Sequence, residues 1–262
     1  MRVAKLAGSL FLIALPTSGH AQDAAARTEL APTGMLRVGV AEAPTPGVLF
    51  VRRGADGTPQ GVTVDLARDL AQSAGVPVAF TVFPNTGEIT EATNAGLIDV
   101  TFMPIDEARR QKVDFGPGYY NLESTYLVTE ASGVSDVEGV DRPGMRVVGI
   151  AGSTTLRASA RTLKTTKPVP VGSVAEAIDQ LHSGQADALA LARDQLRPVQ
   201  PLVPSSRVVT GSFQQTLIAV AVPKGRAAAL AYVSDWLNSA KRSGLVRQIF
   251  DEQGLREDVV AP

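Results

Sequence analysis

Apolar and polar positions along this chain switch repeatedly between a period of two and a period near four, which predicts strands alternating with helices. Met35 to Val40 reads as a first strand, and Ala41 to Pro46 as a loop holding two prolines. Leu49–Val51 and Gly61–Val62 flank the turn Gly54-Ala55-Asp56-Gly57, a hairpin pattern. Val62, Leu66, Leu70 and Ala74 recur every four residues, so a helix is expected over Thr63–Ala74, with Gly75 stopping it. Val76, Val78, Phe80 and Val82 alternate as a strand. Ile89, Ala92, Ala95 and Leu97 mark the next helix, and Ile98–Phe102 the strand after it.

The stretch Asp99 to Tyr120 then opens as a buried strand and turns at Pro104. It makes about one polar helical turn and returns as a short strand ending in aromatics. Glu123–Thr129 is extended, and Val134–Pro143 is a polar connector. A second series begins with the strand Met145–Ile150, joined through Ala151–Thr155 to a helix. Val169–Val171 is a strand, and Ser173-Val174-Ala175-Glu176 a capping box whose helix ends at Gly184. Asp187–Leu191 is a strand. Arg193–Ser206, with three prolines, reads as a loop. Strands at Arg207–Val209 and Leu217–Val222, a long helix Ala227–Lys241 and a last helix Leu245–Phe250 complete the pattern, with tail from Gly254. Such βαβ alternation implies an α/β fold with a largely parallel sheet.

The chain has 262 residues, 44% hydrophobic and 19% charged, enough for one large or two modest domains. A net charge of −1 gives no reason to expect nucleic acid or a polybasic membrane patch. With no cysteine, disulfides, zinc–cysteine sites, iron–sulfur clusters and thiol nucleophiles are excluded. At the start, Arg2 and Lys5 precede the apolar run Leu6–Pro16, and Gly19-His20-Ala21 follows with small residues. This reads as a signal peptide over 1–21 cleaved after Ala21, with 22–33 a disordered leader and the mature chain exported to a periplasm.

Chemistry is sparse. After the signal segment the chain has one histidine, His182, beside a helix end, so neither a Ser-His-Asp triad nor a zinc site is expected. Asp106 and Glu107 read as the acidic start of a short helix. Glu42, in the loop after the first strand, is either a ligand contact or a solvated carboxylate. Arg109 and Arg110 stand just beyond the C-terminal end of a strand, where open α/β sheets bind ligands. A guanidinium there offers a fork that matches a carboxylate, though a surface charge is the plainer reading of either arginine. Ser153 and Thr154 open a helix whose first N–H groups suit an anion, or simply cap it. The balance argues against an enzyme, with no catalytic residue, cofactor or metal expected.

Six segments in order carry a resemblance. They are Leu36-Arg37-Val38-Gly39-Val40, Gly61 to Ala67, Gly96-Leu97-Ile98-Asp99-Val100, Glu107 to Phe115 with Tyr119-Tyr120, Gly149 to Thr154, and Ser183 to Ala188. On these the chain resembles the extracellular solute-binding proteins of ABC importers, the family typified by polar amino-acid binding proteins. The resemblance implies a type 2 periplasmic-binding-protein architecture: two lobes, each a mixed sheet flanked by helices, joined by two hinge crossovers near Asn121–Thr125 and Phe213–Leu217. The expected division is 34–122 and 215–256 for the first lobe and 123–214 for the second, with 257–262 as tail.

By the same resemblance Arg109 is the family's carboxylate-binding arginine, and Ser153 and Thr154 help bind that carboxylate from the other lobe. Phe102 and Met103 are expected to shape an apolar wall. Met103 and Pro104 stand where the family has small residues or serines, because the Asp99–Arg109 spacing is two residues short. Ala192 occupies the place of the ammonium-binding Asp, with Arg193 and Asp194 beyond it. The expected function is capture of a small carboxylate-bearing solute, an amino acid or related organic anion, for an inner-membrane ABC permease, by a monomer. The competing readings are a periplasmic cyclohexadienyl dehydratase-like enzyme on the same fold and a ligand sensor for a receptor kinase.

Overall fold

A computed structural model of the chain describes residues 25–42, 47–256 and 258–261. The expected signal segment, the first residues of the leader and most of the Ala41–Pro46 loop lie outside them. The strands are β1 (Leu36–Ala41), β2 (Arg52–Arg53), β3 (Pro59–Gln60), β4 (Val78–Phe83), β5 (Val100–Pro104) and β6 (Val113–Thr129). They continue as β7 (Val147–Ile150), β8 (Val169–Val171), β9 (Ala188–Ala192), β10 (Ser206–Val208) and β11 (Gln214–Pro223). Residues 25–30 form a helix, α1. Beyond it are α2 (Val62–Ala74), α3 (Thr86–Asn94), α4 (Glu107–Arg110), α5 (Thr154–Thr162), α6 (Val174–His182), α7 (Arg193–Val199), α8 (Ala227–Arg242) and α9 (Leu245–Glu252).

The main sheet runs β4-β1-β5-β11-β6-β9-β7-β8, with β10 beside β6. Two parallel groups, β4-β1-β5 and β9-β7-β8, flank the antiparallel pair β11 and β6. The upstream part of β6 supplies Tyr119 and Tyr120 to a core with Leu36, Leu66, Phe102, Val220 and Phe250. Its downstream part supplies Leu127 to a core with Val148, Leu189 and Val174, and Tyr126 and Val128 to one with Val147 and Val209. One strand feeding separate cores is what a two-lobed chain requires. The lobes meet where Asn121–Ser124 pairs with Gln214–Leu217.

A repeated device fixes the start of each lobe. Asp99, fully buried, accepts from the backbone N–H of Arg37 at 3.1 Å and its Nε at 2.8 Å. Asp187 accepts from the N–H and Nε of Arg146, both at 2.9 Å. Each pair ties the head of the lobe's first strand to the residue entering its neighbour.

Several expectations are corrected. The leader is not wholly disordered: Ala26 and Leu30, four residues apart in α1, are buried. Glu29 accepts from the N–H groups of Ala228 and Ala229 and so caps α8. The two strands expected over 113–129 are one, because Gly116-Pro117-Gly118 is absorbed as an irregularity in the pairing with β11 rather than as a break. Arg193–Ser206 begins as α7 rather than loop, since Leu196 and Val199 bury a face that outweighs Pro198 in the last turn.

Candidate functional site

The C-terminal ends of strands from both lobes converge on one cavity of about 70 Å³. The first lobe contributes Ala41 and Glu42 after β1, Phe50, Pro84-Asn85-Thr86 after β4, and Pro104 at the end of β5. Leu122 comes from the crossover. The second lobe contributes Ile150 at the end of β7, Ser153-Thr154-Thr155 at the start of α5, Leu191 near the end of β9, and Gln195 on α7. The strands β1, β4 and β5 are mutually parallel, as are β7 and β9; the three antiparallel pairings between β5 and β9 reverse the second group, so the C-terminal ends of the two groups face each other across the cavity.

Local capping sets the polar groups. Asn85 is the N-cap of α3, its Oδ1 accepting from the Glu88 N–H at 2.9 Å, and it presents Thr86 to the cavity. Ser153 does the same for α5, its Oγ accepting from the Leu156 N–H at 3.0 Å. The first turn of α5 thus brings N–H groups without intrahelical partners to the same wall. Ser124 and Thr155 face each other, hydroxyl to hydroxyl, at 3.4 Å.

Arg109 lies one layer behind. It is buried at 3% exposure, on α4, whose N-cap Asp106 accepts from the Arg109 N–H. Its guanidinium donates to the Pro104 carbonyl at 2.8 Å, to Thr86 Oγ1 at 2.6 Å and to the Gly152 carbonyl at 3.4 Å. It therefore borders a neighbouring groove, with Lys112, Glu88 and Arg157, rather than the cavity wall. Burial, and then the nearby Arg157 charge, pull its pKa down to about 9, against the opposing pull of Asp106.

Of the residues expected at the site, Glu42, Pro104, Ser153 and Thr154 come together on the cavity wall. Phe102 and Met103 do not. Phe102 is edge-on to Tyr119 at 5.9 Å inside the first core. Met103 faces the other side of the sheet, among Ala41, Ile89, Phe83 and Phe115. Alternation along β5 puts them on opposite faces, and both faces are covered. Ala192 is also core, paired with Ser124, and Asp194 lines a separate groove with Tyr120, Arg197 and Asp258. Neither stands in for an ammonium-binding carboxylate on the cavity wall.

Thr86, Gln195 and Leu122 were missed by reading the chain. Asn85-Thr86-Gly87-Glu88 is a capping pattern that would have moved the start of α3 upstream and exposed Thr86 as a strand-end residue.

Asp194 supports a pH prediction. Burial first, and the charge of Asp258 after it, raise its pKa to about 6. A carboxyl that binds its proton more tightly when folded stabilises the fold below its unfolded pKa near 4, and that stability is lost as pH rises through 6. Asp194→Asn is expected to add about 1 kcal/mol at pH 7, discounted for a half-buried group, and to flatten the fall in stability between pH 4 and 7. Urea unfolding of both proteins across that range checks it. An unchanged slope would count against the assignment.

Comparison with known proteins follows this geometry. Residues 36–253 match the model for "Bacterial extracellular solute-binding proteins, family 3". A glutamine-binding protein of an ABC transporter from Bacillus subtilis is 24% identical over 211 residues, 78% of this chain and 76% of the relative. An ancestral amino acid-binding protein, described as a precursor of cyclohexadienyl dehydratase, superposes with a TM-score of 0.72 at 27% identity, over 86% of this chain and 98% of its own. A solute receptor for L-cysteine from Neisseria gonorrhoeae gives a TM-score of 0.74 at 23% identity, over 87% of this chain and 92% of its own, and shows the fold. Two lobes, their strand ends meeting at one cavity, and a family match across nearly the whole described chain agree: this protein belongs to the bacterial extracellular solute-binding proteins, family 3.

Proposed function

We propose that the chain captures a small carboxylate-bearing solute, an amino acid or related organic anion, and delivers it to an ABC permease in the inner membrane. In this reading the protein is exported to the periplasm by the segment ending at Ala21 and works as a monomer. The lobes are 34–122 with 215–256, and 123–214, closing about the Asn121–Ser124 and Gln214–Leu217 crossovers.

The observation that carries this reading is the cavity at the strand ends, with donors from both lobes on its wall and a buried guanidinium immediately behind Thr86. Buried positive charge and unpaired helix N–H groups favour an anion there. The relatives named for glutamine and for amino acids support an amino acid as the first class to try. Glu42 is the group an ammonium would meet, the sole ionisable side chain on the wall among the described residues. It is half-exposed and already paired with Arg53 at 3.2 Å. A partner of that kind suits an amino group poorly, so organic anions lacking one belong in the same screen.

Catalysis is outside this reading: Glu42, the one ionisable side chain on the wall among the described residues, is half-exposed and tied to Arg53. Calorimetric titration with the twenty L-amino acids and with two- to five-carbon mono- and dicarboxylates tests the proposal. One-to-one binding of at least one compound is expected. Binding of none, or conversion of prephenate to phenylpyruvate, would sink it.

A further inference from the structure

This inference rests on the carboxylate reading and deepens it by naming a class of ligand. We infer that the solute is an elongated dianion, with one acidic group in the cavity and the other held outside it by Arg52, in the groove between the β2–β3 hairpin and the start of α6.

The cavity takes only one end of such a molecule. Its volume of about 70 Å³ has room for roughly five water-sized groups, which a carboxylate and a short carbon stub fill. A longer ligand has a way out where Glu42, Pro84 and Ile150 line both this cavity and an adjoining groove of about 580 Å³. Like the cavity, the groove is built from both lobes. The hairpin stands on one side, and the loop after β8 with the first turn of α6 stands on the other.

Charge in the groove comes from the first lobe. Among the described residues that line it, Arg52 and Arg53 set two guanidinium groups against the single carboxylate of Glu42, and Gly172 to Ala175 opposite add none. The hairpin is fastened at its base. Val51 bridges to Glu42 at the end of β1, and Thr63 on α2 donates to the buried Phe50 carbonyl at 2.6 Å. Arg53 is matched by Glu42, 3.2 Å away. Arg52 makes no hydrogen bond or ion pair with any described residue. It is therefore the uncompensated cation beside the mouth of a cavity suited to a carboxylate, and its planar fork matches a second one. A neutral far end would leave that charge unmet, and a cationic one would be repelled.

This gives Glu42 a definite sign. Beside the path from cavity to groove, its carboxylate repels a dianion and ties up Arg53. Removing it helps a dianion, whereas an ammonium would lose a partner.

The test titrates the full mature chain calorimetrically with the twenty L-amino acids and with the series propanedioate to octanedioate. Each diacid is compared with its monoamide, which has the same length and one charge fewer. The longer diacids are expected to bind about fivefold more tightly than their monoamides at low salt, and the preference should shrink at about 0.5 M salt, as for any exposed charge pair. Propanedioate, too short to leave the cavity, should show no such preference. Arg52 is exposed, so Arg52→Gln is expected to fold and to cut the preference below about twofold. Glu42→Gln is expected to raise diacid affinity about threefold.

A preference that Arg52→Gln leaves untouched, or a loss of diacid affinity in Glu42→Gln, overturns this inference alone. So does a wild type that binds amino acids or monoamides and favours no diacid. Failure of every carboxylate to bind, the amino acids included, overturns this inference and the proposed function together.

Discussion

Arg109→Ala is expected to lower folding stability by about 3–5 kcal/mol and to weaken solute binding by about a hundredfold or more. The side chain is 3% exposed and holds three protein oxygens at once, the Pro104 carbonyl, Thr86 Oγ1 and the Gly152 carbonyl. Truncation leaves the Pro104 carbonyl buried without this donor, a loss that costs more than an ordinary hydrogen bond is worth, and takes a partner from the half-buried Thr86; the exposed Gly152 carbonyl keeps Arg157 Nη1. It also strips a positive neighbour from Asp106, whose side chain is only 5% exposed. Binding suffers separately, because Thr86 on the cavity wall loses the guanidinium that holds it. Lysine is no substitute: a single ammonium cannot reach three acceptors in the plane a guanidinium spans. Urea unfolding and calorimetry on the purified variant measure the two effects. A change below about 1 kcal/mol with unaltered affinity would mean that Arg109 supports neither the fold nor the binding site.

Much of this architecture is legible in the chain because it depends on local rules. The alternation of Val78, Phe80 and Val82 and the four-residue spacing of Val62, Leu66 and Leu70 predict β4 and α2 without tertiary information. The pairs Arg37–Asp99 and Arg146–Asp187 explain why the segments around those residues carry the family likeness: they position strands rather than ligand. What local rules do not give is depth. Phe102, Met103 and Pro104 are consecutive and all buried, yet only Pro104 borders the cavity. Which layer a strand-end residue occupies is fixed by what covers each face of the sheet, and a motif fixes Arg109 in the chain without saying that Thr86 stands in front of it. The same limit hid Arg157. It sits on an unremarkable polar face of α5, and its partner is 51 residues away.

That partner gives the second large effect. Arg157 bonds Asp106 through Nε at 3.0 Å, with Nη2 at 2.9 Å from the other carboxylate oxygen, and its Nη1 donates to the Gly152 carbonyl. Asp106 belongs to the first lobe and Arg157 to the second, so the pair is a clasp across the cleft. Beside it the backbones nearly touch. Gly152 adopts φ +70°, and a Cβ placed on Gly87 would lie 3.4 Å from its Cα and its carbonyl oxygen.

Burial pushes Asp106 up, but Arg157 and then Arg109 hold it below the usual carboxylate range. The clasp is therefore intact at neutral pH and is lost as pH falls through that depressed value. In an open form both groups would be solvated, so removing one penalises chiefly the closed form. Arg157→Ala is expected to cost the closed state about 2 kcal/mol and, because affinity scales with the closed population, to weaken binding roughly thirtyfold.

Asp106→Asn alone should act in the same direction, and the double variant should be less than additive, as for residues in contact. Small-angle scattering should show the single variants more extended without ligand and equally compact once saturated. Affinity unchanged in Arg157→Ala, or additivity in the double variant, would mean the clasp forms without influencing closure. The choice between these outcomes bears on selectivity. A closed state held partly by protein groups alone asks less of the ligand, so a small solute with few contacts can still shut the cleft.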